Sequence, residues 1–208
     1  MADYVQIVED TRTKLLAIIN DEEGWHKCQN VSKIRITSKK SSYFQGNIFK
    51  AELEFDAPFD KVAKTWAPKP KGFRQDWDTS ITSLECIKDI NEEVMIVRTV
   101  TPSAAMGLIS AREFIDLMML RFEDDGETAI TAGVSVEYPG YPVTDALVRG
   151  KNFPCGAMFR KIDAGRSRMT YIGHTSIEGS VPVSLIEAAL PSSMHTMLNG
   201  LRKVAEKV

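Results

Sequence analysis

Residues 181–208 read VPVSLIEAALPSSMHTMLNGLRKVAEKV, and the reading of this closing stretch governs the reading of the rest. Pro182 stands where a first helical turn tolerates proline, and Ile186, Leu190, Met194, Met197, Leu201 and Val204 then recur at steps of three and four, the spacing of one helix face. Glu187, Arg202, Lys203, Glu206 and Lys207 fall mostly elsewhere on the wheel. An amphipathic helix at the end of a chain lays its apolar face on something already built. What lies beneath it, an ordinary sheet core or a more open space, depends on the residues upstream.

Those residues read mostly as strand. Stretches 81–90, 93–101, 112–122, 128–138, 147–160 and 168–177 are rich in β-branched and aromatic residues, and Asp125-Gly126 is a strong hairpin signal. Further upstream, 49–56 alternates cleanly, with Phe49, Ala51, Leu53 and Phe55 on its apolar face, and 33–36 alternates as well. Residues 4–20 carry Val5, Val8, Leu15, Leu16, Ile18 and Ile19 among charges, which predicts an outer helix. Pro58 opens a short helix through Trp66, and a loop with Pro68, Pro70 and Gly72 leads to Arg74-Gln75-Asp76-Trp77-Asp78. Short connections favour antiparallel neighbours, so the expectation is an α+β fold with about nine strands, in one domain over 1–208.

Composition narrows the function classes. The chain has 208 residues, 43% hydrophobic, and 26 Lys plus Arg against 28 Asp plus Glu; the net charge of −2 with no basic block argues against nucleic acid as a partner. No apolar run approaches the roughly 20 residues of a membrane-spanning helix, and MADYVQIVED lacks the regions of a signal peptide, so a soluble cytoplasmic protein is expected. Cys28, Cys86 and Cys155 are widely spaced without CxxC, which predicts reduced thiols and no zinc site. No HExxH, P-loop or GxGxxG occurs, so no metal and no cofactor is expected. His26, His174 and His195 are scattered, and Ser192-Ser193 near His195 lacks a nucleophile elbow. The missing chemistry favours binding over catalysis.

Two features point to where binding would occur. Residues 102–109, Pro-Ser-Ala-Ala-Met-Gly-Leu-Ile, are long for a hairpin and apolar where a turn is usually polar; Met106, Leu108 and Ile109 either cap the core edge or form a flap over a hole. On the flanking strands, Arg112, Phe114, Asp116, Met118 and Leu120 share one face, and Val94, Ile96, Arg98 and Val100 share another. Charges on such faces need partners, as Arg112 with Asp116, or a water-containing cavity.

Several stretches together resemble the START domain, the lipid-transfer module named for the steroidogenic acute regulatory protein. They are Trp77-Asp78, Ile109-Ser110-Ala111-Arg112-Glu113-Phe114-Ile115-Asp116, residues 147–156 (LVRGKNFPCG), and Ser176-Ile177-Glu178-Gly179-Ser180-Val181-Pro182 leading into the last helix. Their order and spacing span nearly the whole chain, and Thr101-Pro102-Ser103-Ala104-Ala105-Met106, with no leader expected, is most similar to the soluble, single-domain member five branch, associated with bile acids and sterols.

The resemblance implies a helix-grip fold, a curved antiparallel sheet wrapped around the C-terminal helix with one lipid in a tunnel between them. It places Arg74, Thr99, Thr101, Asn152, Tyr171, Leu190, Ser193 and Met197 at or beside pocket positions. Trp77, Phe114, Met118 and Met194 join them as expected wall residues, and Arg98 and Arg112 as candidates for the polar end. The expected gate is the 102–109 loop, with Met106, Leu108 and Ile109, together with the last helix. The implied function is non-enzymatic carriage of a sterol, bile acid or related lipid by a monomer that touches membranes transiently. A hydrolase or cyclase on the same fold, and a lipid sensor for a protein partner, are the alternatives. Two departures bear on the ligand: the acid and arginine of cholesterol-type relatives fall at Thr99 and Met118, and Phe153 replaces the histidine of Asn-His-Pro-Cys-Gly.

Overall fold

In the computed structural model, residues 3–31, 33–104, 107 and 109–207 are described, with the backbone alone at Gln29, Asn30 and Val31. Met106 and Leu108, two of the three expected gate residues, lie outside the described residues.

Helix α1 spans Tyr4–Asn20; the Asp3 carboxylate caps it by accepting from the Gln6 amide at 3.1 Å, and Val8, Thr11, Leu15 and Ile19 form its buried stripe. Strands β1 (His26–Val31), β2 (Ile34–Lys40) and β3 (Asn47–Phe55) follow, then α2 (Phe59–Trp66) and a tight turn at Arg74–Asp76. Next come β4 (Ser83–Asp89), β5 (Val94–Thr101), β6 (Arg112–Phe122) and β7 (Thr128–Ser135). Short β8 (Val148–Arg149) and β9 (Lys151–Asn152) lead to β10 (Cys155–Lys161), β11 (Ser167–Gly173) and β12 (Thr175–Ser176), and α3 (Val183–Ala205) closes the fold.

Nine strands pair antiparallel in the order β1-β2-β3-β11-β10-β7-β6-β5-β4, and β8 runs parallel beside β6. The pairing of β3 with β11 joins the two ends of the chain into one sheet, as the α+β helix-grip expectation requires. β9 and β12 form a separate two-stranded ribbon.

The differences from expectation have local causes. Strand β1 has no apolar alternation to announce it and is recruited at the sheet edge by backbone bonds to β2. The single strand expected over 147–160 is three. A side chain at Gly150 would put Cβ 2.2 Å from the Phe114 ring, and Pro154 has no amide to give to a ladder. The strand expected over 168–177 breaks at His174, whose carbonyl instead accepts from the Phe153 amide at 2.9 Å.

The sheet separates two apolar clusters. On one face α1 covers Val94, Ile96, Ile115, Leu117, Met119, Ile130 and Ile172. On the other, α2 and α3 cover Phe49, Ala51, Leu53, Phe55, Leu120, Ala157, Phe159 and Met169. The fully buried residues of α3 are Met194, Leu198, Leu201 and Ala205, with Leu190 and Met197 partly buried against the same cluster. The seam thus turns toward Leu198 and Ala205, by about 100° from Met197 and Val204. Every fully buried residue of α3 follows Pro191, the proline inside the helix, and the turns before it have none. Burial of Met194, Leu198 and Leu201 contributes about 1.5–3 kcal/mol each, so the second part of α3 is the anchored part.

Candidate functional site

Alternation along the strands turns every second residue toward α3. Leu120 of β6 belongs to the cluster beneath α3, so Arg112, Phe114, Asp116 and Met118 share its face. Cross-strand pairing sets Thr101 opposite Arg112, Thr99 opposite Phe114, Ser135 opposite Asp116, and Cys155 opposite Gly133. Tyr171 joins them from β11. Thr99, Met118, Cys155 and Tyr171 on this face are only partly buried, as are Leu190 and Met197 of α3, which also border grooves at the helix. Burial nevertheless pushes the Cys155 thiol up, and the Tyr171 hydroxyl up to about 12. Groups that are desolvated by surrounding protein and still accessible border space within a fold.

The turn after α2 supplies an ion pair to this face, with Asp78 buried and Arg74 partly so. Arg74 Nε donates to Asp78 Oδ2 at 2.8 Å, its guanidinium lies 4.4 Å from the Trp66 ring centre, and its Nη2 meets Met197 Sδ at 3.6 Å. Asp78 also accepts from the Ser80 amide and hydroxyl. Trp77 is held by its indole N–H to the Thr65 carbonyl at 2.7 Å and packs against the inner cluster.

A second polar group lies in the middle of β6. Asp116 accepts from Ser135 Oγ at 2.7 Å and from Asn152 Nδ2 at 2.8 Å, while Asn152 Oδ1 accepts from the Thr175 hydroxyl at 2.6 Å. Burial pushes the Asp116 carboxyl up. Asp116 was visible as a charge on an apolar face, but its neutral partners on β7 and β9, and Thr175 of β12 behind Asn152, were not.

Arg112 does not pair with Asp116. Its guanidinium donates to the carbonyls of Ser110, Ile177 at 3.0 Å and Glu178 at 3.2 Å, with the residue 3% exposed. Ala104 and Ile109 bond each other through their backbones, at 2.8 and 3.1 Å, so the base of the 102–109 loop is closed on itself and stapled by Arg112 to the lead-in of α3.

Two expected pocket residues are placed elsewhere. Arg98 shares the face of Val94 and Ile96, away from α3, where it donates to Glu113 at 2.5 Å and Glu85 at 3.1 Å; adjacent Thr99 takes the inner face, and strand alternation forbids both. Ser193 is exposed beside Trp77 and Met197 in an outer groove of about 310 Å³. At the start of α3, Phe44, Phe49, Ile177, Val183, Ile186 and Leu190 border another groove, of about 270 Å³. Phe153 stacks on Phe44 at 5.3 Å beside His174. The His195 ring meets the Asn199 amide at 3.2 Å, and among the described residues it bonds neither Ser192 nor Ser193.

A long antiparallel sheet gripping one C-terminal helix, with accessible side chains between them, defines a helix-grip protein. The START domain family model matches residues 7–208, and the chain belongs to that family. It is 31% identical over 201 residues to "StAR-related lipid transfer protein 5" of Mus musculus, covering 96% of this chain and 94% of that protein. It is 29% identical to "StAR-related lipid transfer protein 6" of Homo sapiens, over 92% of this chain and 87% of that one. The solved structure of human StAR-related lipid transfer protein 5 superposes with a TM-score of 0.90 at 31% identity, covering 97% of this chain and 96% of that chain.

Proposed function

We propose that this START domain binds one lipid between the sheet and α3 and carries it through the cytoplasm, as a monomer, without chemical change. The observation that supports the reading is the set of partly accessible side chains on the inner face, Thr99, Met118, Cys155 and Tyr171, the last two desolvated by surrounding protein, with Leu190 and Met197 packed over them. The names of the similar proteins agree with it. A sterol, bile acid or similar amphiphile fits walls that are mostly apolar with a few polar groups, among them Arg74, Thr101 and Asn152. Phe114 and Met194 belong to the wall as packing.

Burial of apolar area is worth about 25 cal/mol per Å², so a few hundred Å² of lipid would supply several kcal/mol before ordering costs. The ligand would enter at a membrane through the 102–109 loop, which includes Met106, Leu108 and Ile109, and the turns of α3 before Pro191. Native mass spectrometry of the purified protein, with lipid identification, tests this: a single lipid bound per chain is the expected result. A mass without adduct after incubation with sterol-containing vesicles, or release of a chemically altered lipid, would refute carriage.

A further inference from the structure

Asp116 is 5% exposed on the inner face, and its two hydrogen bonds come from neutral groups, Ser135 and Asn152. Among the described residues no cation pairs with it. The arginines in its neighbourhood are engaged elsewhere: Arg74 with Asp78, and Arg149 with Glu113 at 2.7 Å. Arg112 lies four residues along β6, roughly 13 Å at 3.3 Å per residue, with its guanidinium turned to three backbone carbonyls. Arg74 and Arg149 act on Asp116 only at a distance and only partly offset the burial of its charge, which leaves Asp116 without an ion partner of its own on the inner face.

We propose that Asp116 determines specificity, favouring lipids whose enclosed polar end is a neutral hydroxyl and opposing those that end in a carboxylate or sulfate. The proposal rests on the lipid-binding reading above and narrows it. Each carboxylate oxygen has two lone pairs, and each oxygen of Asp116 accepts one hydrogen bond, so acceptor capacity remains for a ligand hydroxyl. An anionic end at the same place meets a like charge where the surrounding protein screens poorly. Burial is the largest influence on this carboxyl and outweighs its two hydrogen bonds and the pull of Arg74 and Arg149, in keeping with a charge that has no ion partner in contact. The competing influence is the Arg74 guanidinium, whose Nη1 hydrogens are unpaired by the described bonds and would attract an anion.

The test titrates wild-type protein, Asp116→Asn and Asp116→Ser with a fluorescent sterol bearing a free hydroxyl and with the sulfate ester of the same sterol. Wild type is expected to bind the hydroxyl form at least tenfold more tightly. Both substitutions are expected to cut that ratio below threefold, chiefly by tightening the sulfate. Two substitutions are used so that one that misfolds, seen by circular dichroism, leaves the other. A wild-type protein that binds the sulfate as tightly as the alcohol overturns the proposal, and so does an unchanged ratio in either folded variant. Wild type that binds neither probe overturns the sterol-like reading itself, a result recognisable because every variant then fails alike.

Discussion

Arg112 Nε donates to the Ile177 carbonyl at 3.0 Å, across 65 positions of sequence. The same guanidinium reaches Ser110 and Glu178, so one buried side chain ties the base of the 102–109 loop to the lead-in of α3. A charge buried against carbonyl dipoles is costly to remove, because those carbonyls then lose their donors. Arg112→Ala is expected to cost about 2–4 kcal/mol. Amide hydrogen exchange should accelerate at 109–112 and 176–190 more than in β10 or β11. Uniform acceleration across the sheet would show that Arg112 serves overall stability and not the link between loop and helix.

Leu190 and Met197 pack partly buried on the inner cluster, whereas Ser193 is exposed. Leu190→Trp and Met197→Trp should fill space beneath α3 and weaken binding of a fluorescent sterol at least tenfold, with a native far-UV spectrum. Ser193→Trp should leave binding within about twofold. Equal losses for all three would remove the distinction between an inner and an outer side of this helix segment.

Leu201 is fully buried in the anchored part of α3. Leu201→Ala is expected to destabilise the fold by about 2–5 kcal/mol in urea, from lost burial and the cavity left behind. Sterol affinity of the folded fraction should stay within about threefold. A selective loss of binding with stability intact would move the ligand site further along the helix.

Pro191 interrupts α3 between turns that lack buried residues and turns that have them. A proline inside a helix sacrifices a backbone bond and is worth about 3 kcal/mol less than alanine there. Pro191→Ala should raise stability by about 1–2 kcal/mol, part of that difference being already relieved by local bending. It should also slow lipid transfer between vesicles if the turns before Pro191 swing. Faster transfer would contradict that role.

His174 is fully buried; its Nδ1–H donates to the Pro154 carbonyl at 3.3 Å, which leaves Nε2 to accept from Ser41 Oγ at 2.9 Å. Burial holds its pKa below the ordinary value of 6.5, so the folded state favours the neutral ring. The stability this represents is present above the unfolded value and is lost as pH falls through the lower folded one. Thermal midpoints should therefore drop between pH 7.5 and pH 5, and His174→Gln should flatten that drop. The same slope in both proteins would assign it to other groups.

Much of the architecture was legible because it is local. Periodicity alone located Tyr4–Asn20 and Arg112–Phe122, and it placed Phe49, Ala51, Leu53 and Phe55 on one buried face. The resemblance carried by 147–156 and 176–182 supplied the fold that the strand count left open. Alternation also shows that Arg98 and Thr99 face opposite ways, since successive side chains of a strand must. Which of them faces α3 is not a local property. It follows from the docking of α3 and from the β3–β11 pairing, which joins segments more than 100 residues apart. The same holds for Arg112, whose partners are carbonyls that any residue could offer, and for Asp116, whose two neutral hydrogen-bond donors come from β7 and β9. Sequence determined the faces of each element because side-chain direction repeats with the backbone. Only the tertiary structure decided which face is inner and which charges lack an ion partner, because both depend on groups that the chain brings together from afar.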